Sequence, residues 1–204
     1  MLFGVADGGL EVRRASGVIT IKGNFNYGST ATLDAGGKGR RPRKERFDSH
    51  AFDFAIEDPD RDIHFLVGHS FDKPLASQLG GSLKLDDRAE GLFFEATIAD
   101  EVASTSHGKD ALALLGAGLA TGISPGFRVP DIDGAQSVAE EDPDQGKALI
   151  RTVHKAVLYE LSLVTRPAYP DASAQVEARS WELTGQATAP VNNSTRNPRN
   201  RWRL

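Results

Sequence analysis

The sequence predicts a mainly β domain decorated by a few helices, arranged as an antiparallel barrel or sandwich. Three observations predict it. Short extended runs outnumber helical ones, and only one segment carries a clear 3.6-residue apolar stripe. A turn-rich stretch, Asp86-Asp87-Arg88-Ala89-Glu90-Gly91, also separates two of the extended runs in the manner of a hairpin. Many strands with few helices leave sheet-on-sheet or barrel packing as the way to bury a core, and the residue pattern does not choose between them.

In chain order, Gly17–Gly23 (GVITIKG) alternates and is β-branched, which suits a half-buried strand. Ser29–Arg46 (STATLDAGGKGRRPRKER) is rich in Gly and basic residues and nearly free of large apolar groups, so it reads as a mobile surface loop. A short helix is expected around His50–Phe54. Ile63–Val67 is a brief apolar run ahead of Gly68-His69. Ser82–Leu85 and Leu92–Ile98 flank the hairpin turn. The main helix can be capped by Ser104–Ser106 and carries its stripe on Ala111, Leu112, Leu114, Leu115 and Leu119. Gly122–Val129 and Leu149–Val164 are further strand segments, the latter expected to hold more than one strand.

The chain has 204 residues, enough for one domain with a substantial core plus tails. Residues 1–178 read as that domain and 179–204 as a disordered tail ending in Arg196, Arg199, Arg201 and Arg203. With 24 basic and 28 acidic side chains the net charge is −4, so charge gives no general case for a nucleic-acid partner. The basic loop and the tail lack the interleaved aromatics of a single-strand binder and read as solvated segments. There is no cysteine, which excludes disulfides, thiolate metal sites and a cysteine nucleophile, and suits a reducing compartment. The N-terminus has no signal-peptide pattern, and no window approaches the roughly 20 apolar residues of a membrane span, so a soluble intracellular protein without membrane partners is expected.

A hydrolase without cysteine draws its base from histidine or a carboxylate. The histidines are His50, His64, His69, His107 and His154. His69 directly follows an apolar run and a glycine, where a rigid strand end would hold an imidazole at the mouth of a cleft. Ser124, in Gly122-Ile123-Ser124-Pro125-Gly126-Phe127, is a candidate nucleophile. It is not the G-x-S-x-G elbow, and Pro125 pushes it towards extended geometry. Pro125 also has no N–H, so an oxyanion would need other donors. In Val157–Val164, alternation puts Glu160 and Ser162 on one face and Tyr159, Leu161 and Leu163 on the other. A carboxylate inside such an apolar run needs a partner, either an arginine or an imidazole such as His69. His154 competes for the same role, and on one strand it would lie about 20 Å from Glu160, so only one of them can serve.

Taken together these segments resemble the prohead proteases of tailed bacteriophages, related in fold to the herpesvirus assemblins. The likeness is carried by Arg46–Phe52 (RFDSHAF), Val67–Ser77 (VGHSFDKPLAS), Gly81–Leu85 (GSLKL), Gly91–Ala96 (GLFFEA), Gly118–Phe127 (GLATGISPGF) and Tyr159–Tyr169 (YELSLVTRPAY). It covers about residues 17–172 with histidine, serine and acid in the family's order. The resemblance implies a closed or nearly closed antiparallel β-barrel surrounded by helices. It implies His69 and Ser124 as the catalytic pair, Glu160 as third member with His154 as the alternative, and backbone N–H groups near Arg166 as oxyanion donors.

The activity so implied is that of a serine endopeptidase with no cofactor and no metal. It would cut the major capsid protein and the scaffold protein or scaffolding domain, and itself, inside the assembling prohead in the host cytoplasm, with a homodimer as a candidate active state. One rival is a catalytically inactive capsid-assembly or scaffold-associated protein of the same fold. Another is a metal hydrolase built on His64, His69 and Asp62 or Asp72. The second is disfavoured because no H-E-x-x-H occurs and residues five apart oppose each other on a strand.

Overall fold

The computed structural model describes residues 11–15, 18–142, 144, 147–167 and 169. Within them the chain forms β1 (Glu11–Ala15), β2 (Val18–Asn26), β3 (Thr30–Asp34), β4 (Arg43–Phe47), α1 (Asp53–Ile56), β5 (His64–Val67), β6 (Ser70–Ser77), β7 (Leu83–Arg88) and β8 (Gly91–Ile98). Then follow α2 (Asp100–Ala103), α3 (Ser106–Gly116), β9 (Gly122–Arg128), β10 (Gln136–Glu140), β11 (Leu149–Val153) and β12 (Val157–Val164). The disordered tail expected over 179–204 lies outside the described residues.

The mainly β expectation holds, but the closed antiparallel barrel does not. The strands form three separate open sheets, ordered β1-β2-β8-β7, β10-β11-β4-β3 and β6-β5-β12-β9. Nor is the pairing all antiparallel, because β11 runs parallel to β4 and β12 parallel to β5. Closure needs every edge paired. In the third sheet both edge strands carry a proline, Pro74 on β6 and Pro125 on β9, and neither can donate to a further ladder. The β5–β6 ladder also slips register twice, which bends that edge away.

Hydrophobic alternation explains the first sheet. On β8, Leu92, Phe94, Ala96 and Ile98 are buried, and on β2 Ile19, Ile21 and Phe25 meet them. A T-shaped aromatic cluster continues the core, with Phe25 edge-on to Phe47 (5.2 Å) and Tyr169 (5.1 Å), and Phe47 edge-on to Phe127 (4.7 Å). The Tyr169 hydroxyl donates to buried Glu45 Oε1 at 2.6 Å, and that oxygen's partner Oε2 lies 2.9 Å from Arg151. Burial and this acidic neighbour raise the Tyr169 pKa above its ordinary value.

The segment Ser29–Arg46 is not simply a loop. It contains β3 and most of β4, paired to each other and, through β4, to β11. Its charges misled the sequence reading because they pair across strands: Arg41 meets Glu140 at 2.7 Å, and Lys44 bonds Glu141. The hairpin is tighter than expected, since Arg88 already pairs with Gly91 and only Ala89-Glu90 turn. In α3 the cap is Thr105, whose Oγ1 accepts from Gly108 N at 3.1 Å. The helix buries Ala111 and Leu115 and stops at Gly116, so Leu119 lies beyond it and is exposed.

Candidate active site

The site is built on the third sheet, around its buried inner strand β12. That strand is covered along nearly its whole length, which explains an almost continuous apolar run interrupted by two polar side chains. Those two are Glu160 and Ser162, both buried, with Ser162 wholly inaccessible.

Register brings them to Ser124. Along β9, Ser162 faces Ser124 and Glu160 faces Gly126. Directly opposed residues share a sheet face, with Cβ atoms about 5 Å apart. This alignment depends on a bulge. Leu158 pairs with Phe127 and Glu160 with Gly126, so Tyr159 is the extra residue. Without it Glu160 would face Pro125, on the opposite face from Ser124. Gly126 has its own reason to be glycine. A Cβ there would come within 2.0 Å of Glu160 Oε1, so the carboxylate occupies the space a side chain would need.

His69 enters from the β5–β6 turn. Val67 pairs with Ser70, leaving Gly68-His69 as a two-residue hairpin loop with φ of 61° at both positions. This is the sign pattern of a type I′ turn, comfortable for Gly68 and uncommon for a histidine. Strand β12 holds the turn in place, as Gly68 N donates to Leu163 O (3.0 Å) and His69 N donates to Ser162 Oγ (2.8 Å). The imidazole then reaches back, and its Nδ1 lies 2.7 Å from Glu160 Oε1. The carboxylate is 4% exposed and the imidazole 48%, so the acid is enclosed and the base faces solvent. Ser162 Oγ donates to the other carboxylate oxygen, Glu160 Oε2, at 2.6 Å. A proton on Nδ1 would be donated to Oε1 and would leave the Nε2 lone pair for an incoming one. Ser124 Oγ makes no hydrogen bond among the described residues. In unliganded enzymes such contacts commonly tighten only on substrate binding.

The other sequence candidates are placed elsewhere. His154 lies off β12, with Nδ1 2.9 Å from Asp48 Oδ2 and Nε2 2.8 Å from Ser137 Oγ, so Glu160 is the acid at the His69 ring. His64 sits 3.4 Å from Asp62 and edge-on to Phe71, His50 3.8 Å from Asp87, and His107 bonds Pro74 O at 3.0 Å. Arg166 follows β12 and is exposed, and the next residue, Pro167, packs over Gly122 at the start of β9. The sequence reading missed three features: the Tyr159 bulge, the left-handed backbone of His69, and the bonds made by Ser162. Only the last left a trace, in the shared face of residues 160 and 162.

A hydroxyl, an imidazole and an enclosed carboxylate on one end of one sheet are the groups that a Ser-His-acid hydrolase uses. The particular family follows from comparison: the model of the caudovirus prohead serine protease family matches residues 12–187, and the chain belongs to that family. It is therefore a serine peptidase of phage prohead maturation that works within the assembling prohead and interacts with phage capsid components. No curated protein and no solved structure matches the chain. No helix among the described residues is long and apolar enough to cross a membrane.

Proposed function

We propose that Ser124 is the nucleophile, His69 its base and Glu160 the group that orients and steadies the base, in an endopeptidase that cuts the major capsid protein, the scaffold and its own chain. His69 Nε2 takes the Ser124 proton as Oγ attacks the peptide carbonyl. Glu160 stabilises the imidazolium, the imidazolium protonates the departing amine, and water then hydrolyses the acyl-enzyme. The scheme uses no metal or cofactor. Pro125 cannot donate to the oxyanion, so backbone N–H groups near Arg166 take that part. The packing of Pro167 over Gly122, two residues before Ser124, supports this placement. Substrates packed with the enzyme inside one shell need little intrinsic affinity, because confinement supplies the concentration. A homodimer as the active state fits the same reading.

The observation that carries the proposal is the 2.7 Å contact between the His69 ring and a buried Glu160 that shares its sheet face with Ser124. The test is to co-express the chain with its capsid and scaffold proteins, as parent and as Ser124→Ala, and to follow processing by mass spectrometry. The alanine variant is expected to leave capsid, scaffold and enzyme uncut. Processing at the parental rate would remove Ser124 from the mechanism.

A further inference from the structure

We infer that Ser162 is a positioning residue for the reaction, a fourth member that sets both the place and the protonation state of the base. The inference rests on the reading of Ser124, His69 and Glu160 given above and goes beyond it. Ser162 Oγ is joined at once to two parts of the machinery. It accepts from the His69 backbone N–H at 2.8 Å and donates to Glu160 Oε2 at 2.6 Å, while Glu160 Oε1 returns to His69 Nδ1 at 2.7 Å. The three bonds close a ring through one backbone amide and three side chains.

The ring has a direction. A serine hydroxyl has a single hydrogen, and because its oxygen is the acceptor for His69 N–H, that hydrogen is free for Glu160. Donation into Oε2 holds the carboxylate in the orientation that offers Oε1 to Nδ1. The same oxygen pins the backbone of a histidine whose φ of 61° few non-glycine residues adopt. Ser162 is completely inaccessible, so water cannot replace either bond once the hydroxyl is gone. The Ser162→Ala chain would thus hold an amide without its acceptor and a carboxylate oxygen without its donor, both beside the base.

The consequences are chemical as well as structural. A displacement of the imidazole by a fraction of an ångström lowers turnover more than substrate binding, on the order of 10²-fold in kcat. Loss of the hydroxyl also leaves more negative charge on the Glu160 oxygen facing His69. That favours the imidazolium and moves the acid limb of the kcat/KM–pH profile upward.

The experiment compares the full chain as parent, Ser162→Ala, Ser162→Thr and Ser124→Ala, on a peptide spanning a processing site taken from the capsid protein. Thermal unfolding of each variant is followed in parallel. Ser162→Ala is expected to fold, to lose kcat with KM within about threefold of parent, and to shift its acid limb to higher pH. Ser162→Thr keeps the hydroxyl and is expected to recover most of kcat and the parental limb. Parental kcat and pH profile in a folded Ser162→Ala, with Ser124→Ala inactive, would overturn the role of Ser162 and leave the nucleophile intact. Should Ser162→Ala fail to fold, a Ser162→Thr that folds with an unshifted acid limb and most of its kcat sustains the role. A folded Ser162→Thr as slow as a base-deficient enzyme overturns it. Activity remaining in Ser124→Ala would overturn the underlying reading instead.

Discussion

Among the described residues, two serine–histidine–carboxylate arrays place a carboxylate within hydrogen-bond distance of a histidine Nδ1, and they differ in almost everything else. At the first, Nδ1 of His69 meets Glu160 at 2.7 Å; at the second, Nδ1 of His154 meets Asp48 at 2.9 Å and Nε2 meets Ser137 at 2.8 Å. Measured by hydrogen bonds alone, the second is the more complete. Yet its acid is 58% exposed against 4% for Glu160, and its serine stands in the open on an edge strand. A charge in water is screened and exerts little pull on its partner, whereas an enclosed carboxylate with a second donor keeps both its geometry and its field. Connectivity alone thus does not distinguish the proposed site from the second array. Enclosure of the acid and burial of the serine are what separate the two arrays.

The largest expected effect comes from weakening the enclosed acid. Glu160→Gln keeps the shape and removes the charge, and kcat should fall on the order of 10⁴-fold, as when the acid of a triad becomes its amide. A loss below tenfold in peptide-cleavage kinetics would show that the carboxylate does not steady the base. Next is Gly126→Ala, which inserts a methyl where Glu160 Oε1 lies. Displacing the carboxylate should cost about 10² in kcat at nearly unchanged KM. A crystal structure with an undisturbed Glu160 would contradict it.

Acid titration sharpens the contrast between enclosed and open carboxylates. Burial pushes the pKa of Asp87 above the ordinary 3.8, whereas the hydrogen bond from His154 draws Asp48 below it. The signs for stability are therefore opposite. Asp48 contributes stability above its unfolded value, lost as the pH falls through its lowered folded value. Asp87 favours the fold more as the pH falls through its raised value, because its protonated form suits the interior. Carboxyl-carbon NMR should find the Asp87 midpoint above 3.8 and that of Asp48 below it, and a reversed order would refute both assignments. The smallest effect belongs to the second array itself. His154→Ala should change peptide cleavage by less than about twofold and stability by about 0.5 kcal/mol or less, as for other surface positions. A collapse of kcat there would break the comparison outright.

Much of the candidate site was legible in the chain because chemistry-bearing residues stood out from their neighbours. Glu160 was conspicuous inside an apolar strand, Ser124 between glycines, and His69 at the end of an apolar run. The strands with period-2 patterns, such as β2 and β8, were also readable. The chain hid features that depend on partners distant in sequence. The strand β4, Arg-Lys-Glu-Arg-Phe, looks like a solvated charge run until Glu45 is seen buried against Tyr169, 124 residues later. Strand β6 carries Pro74 and was legible only once its place at a sheet edge was known. Open edges in place of a closed barrel could not be read either, since closure is a matter of how sheets meet and not of any local pattern. His154 was separated from Glu160 by partners distant in sequence, since Asp48 lies 106 residues before it.

The left-handed backbone at His69 sets thermal endurance against turnover. Glycine would adopt φ of 61° without steric cost, and relief of that conformation is worth roughly 1–2 kcal/mol. A library of this chain enriched only for survival of heating would therefore drift towards glycine at position 69. With His69 as the base proposed above, its hardiest members would be inert, and a capsid assembled around them would never ripen.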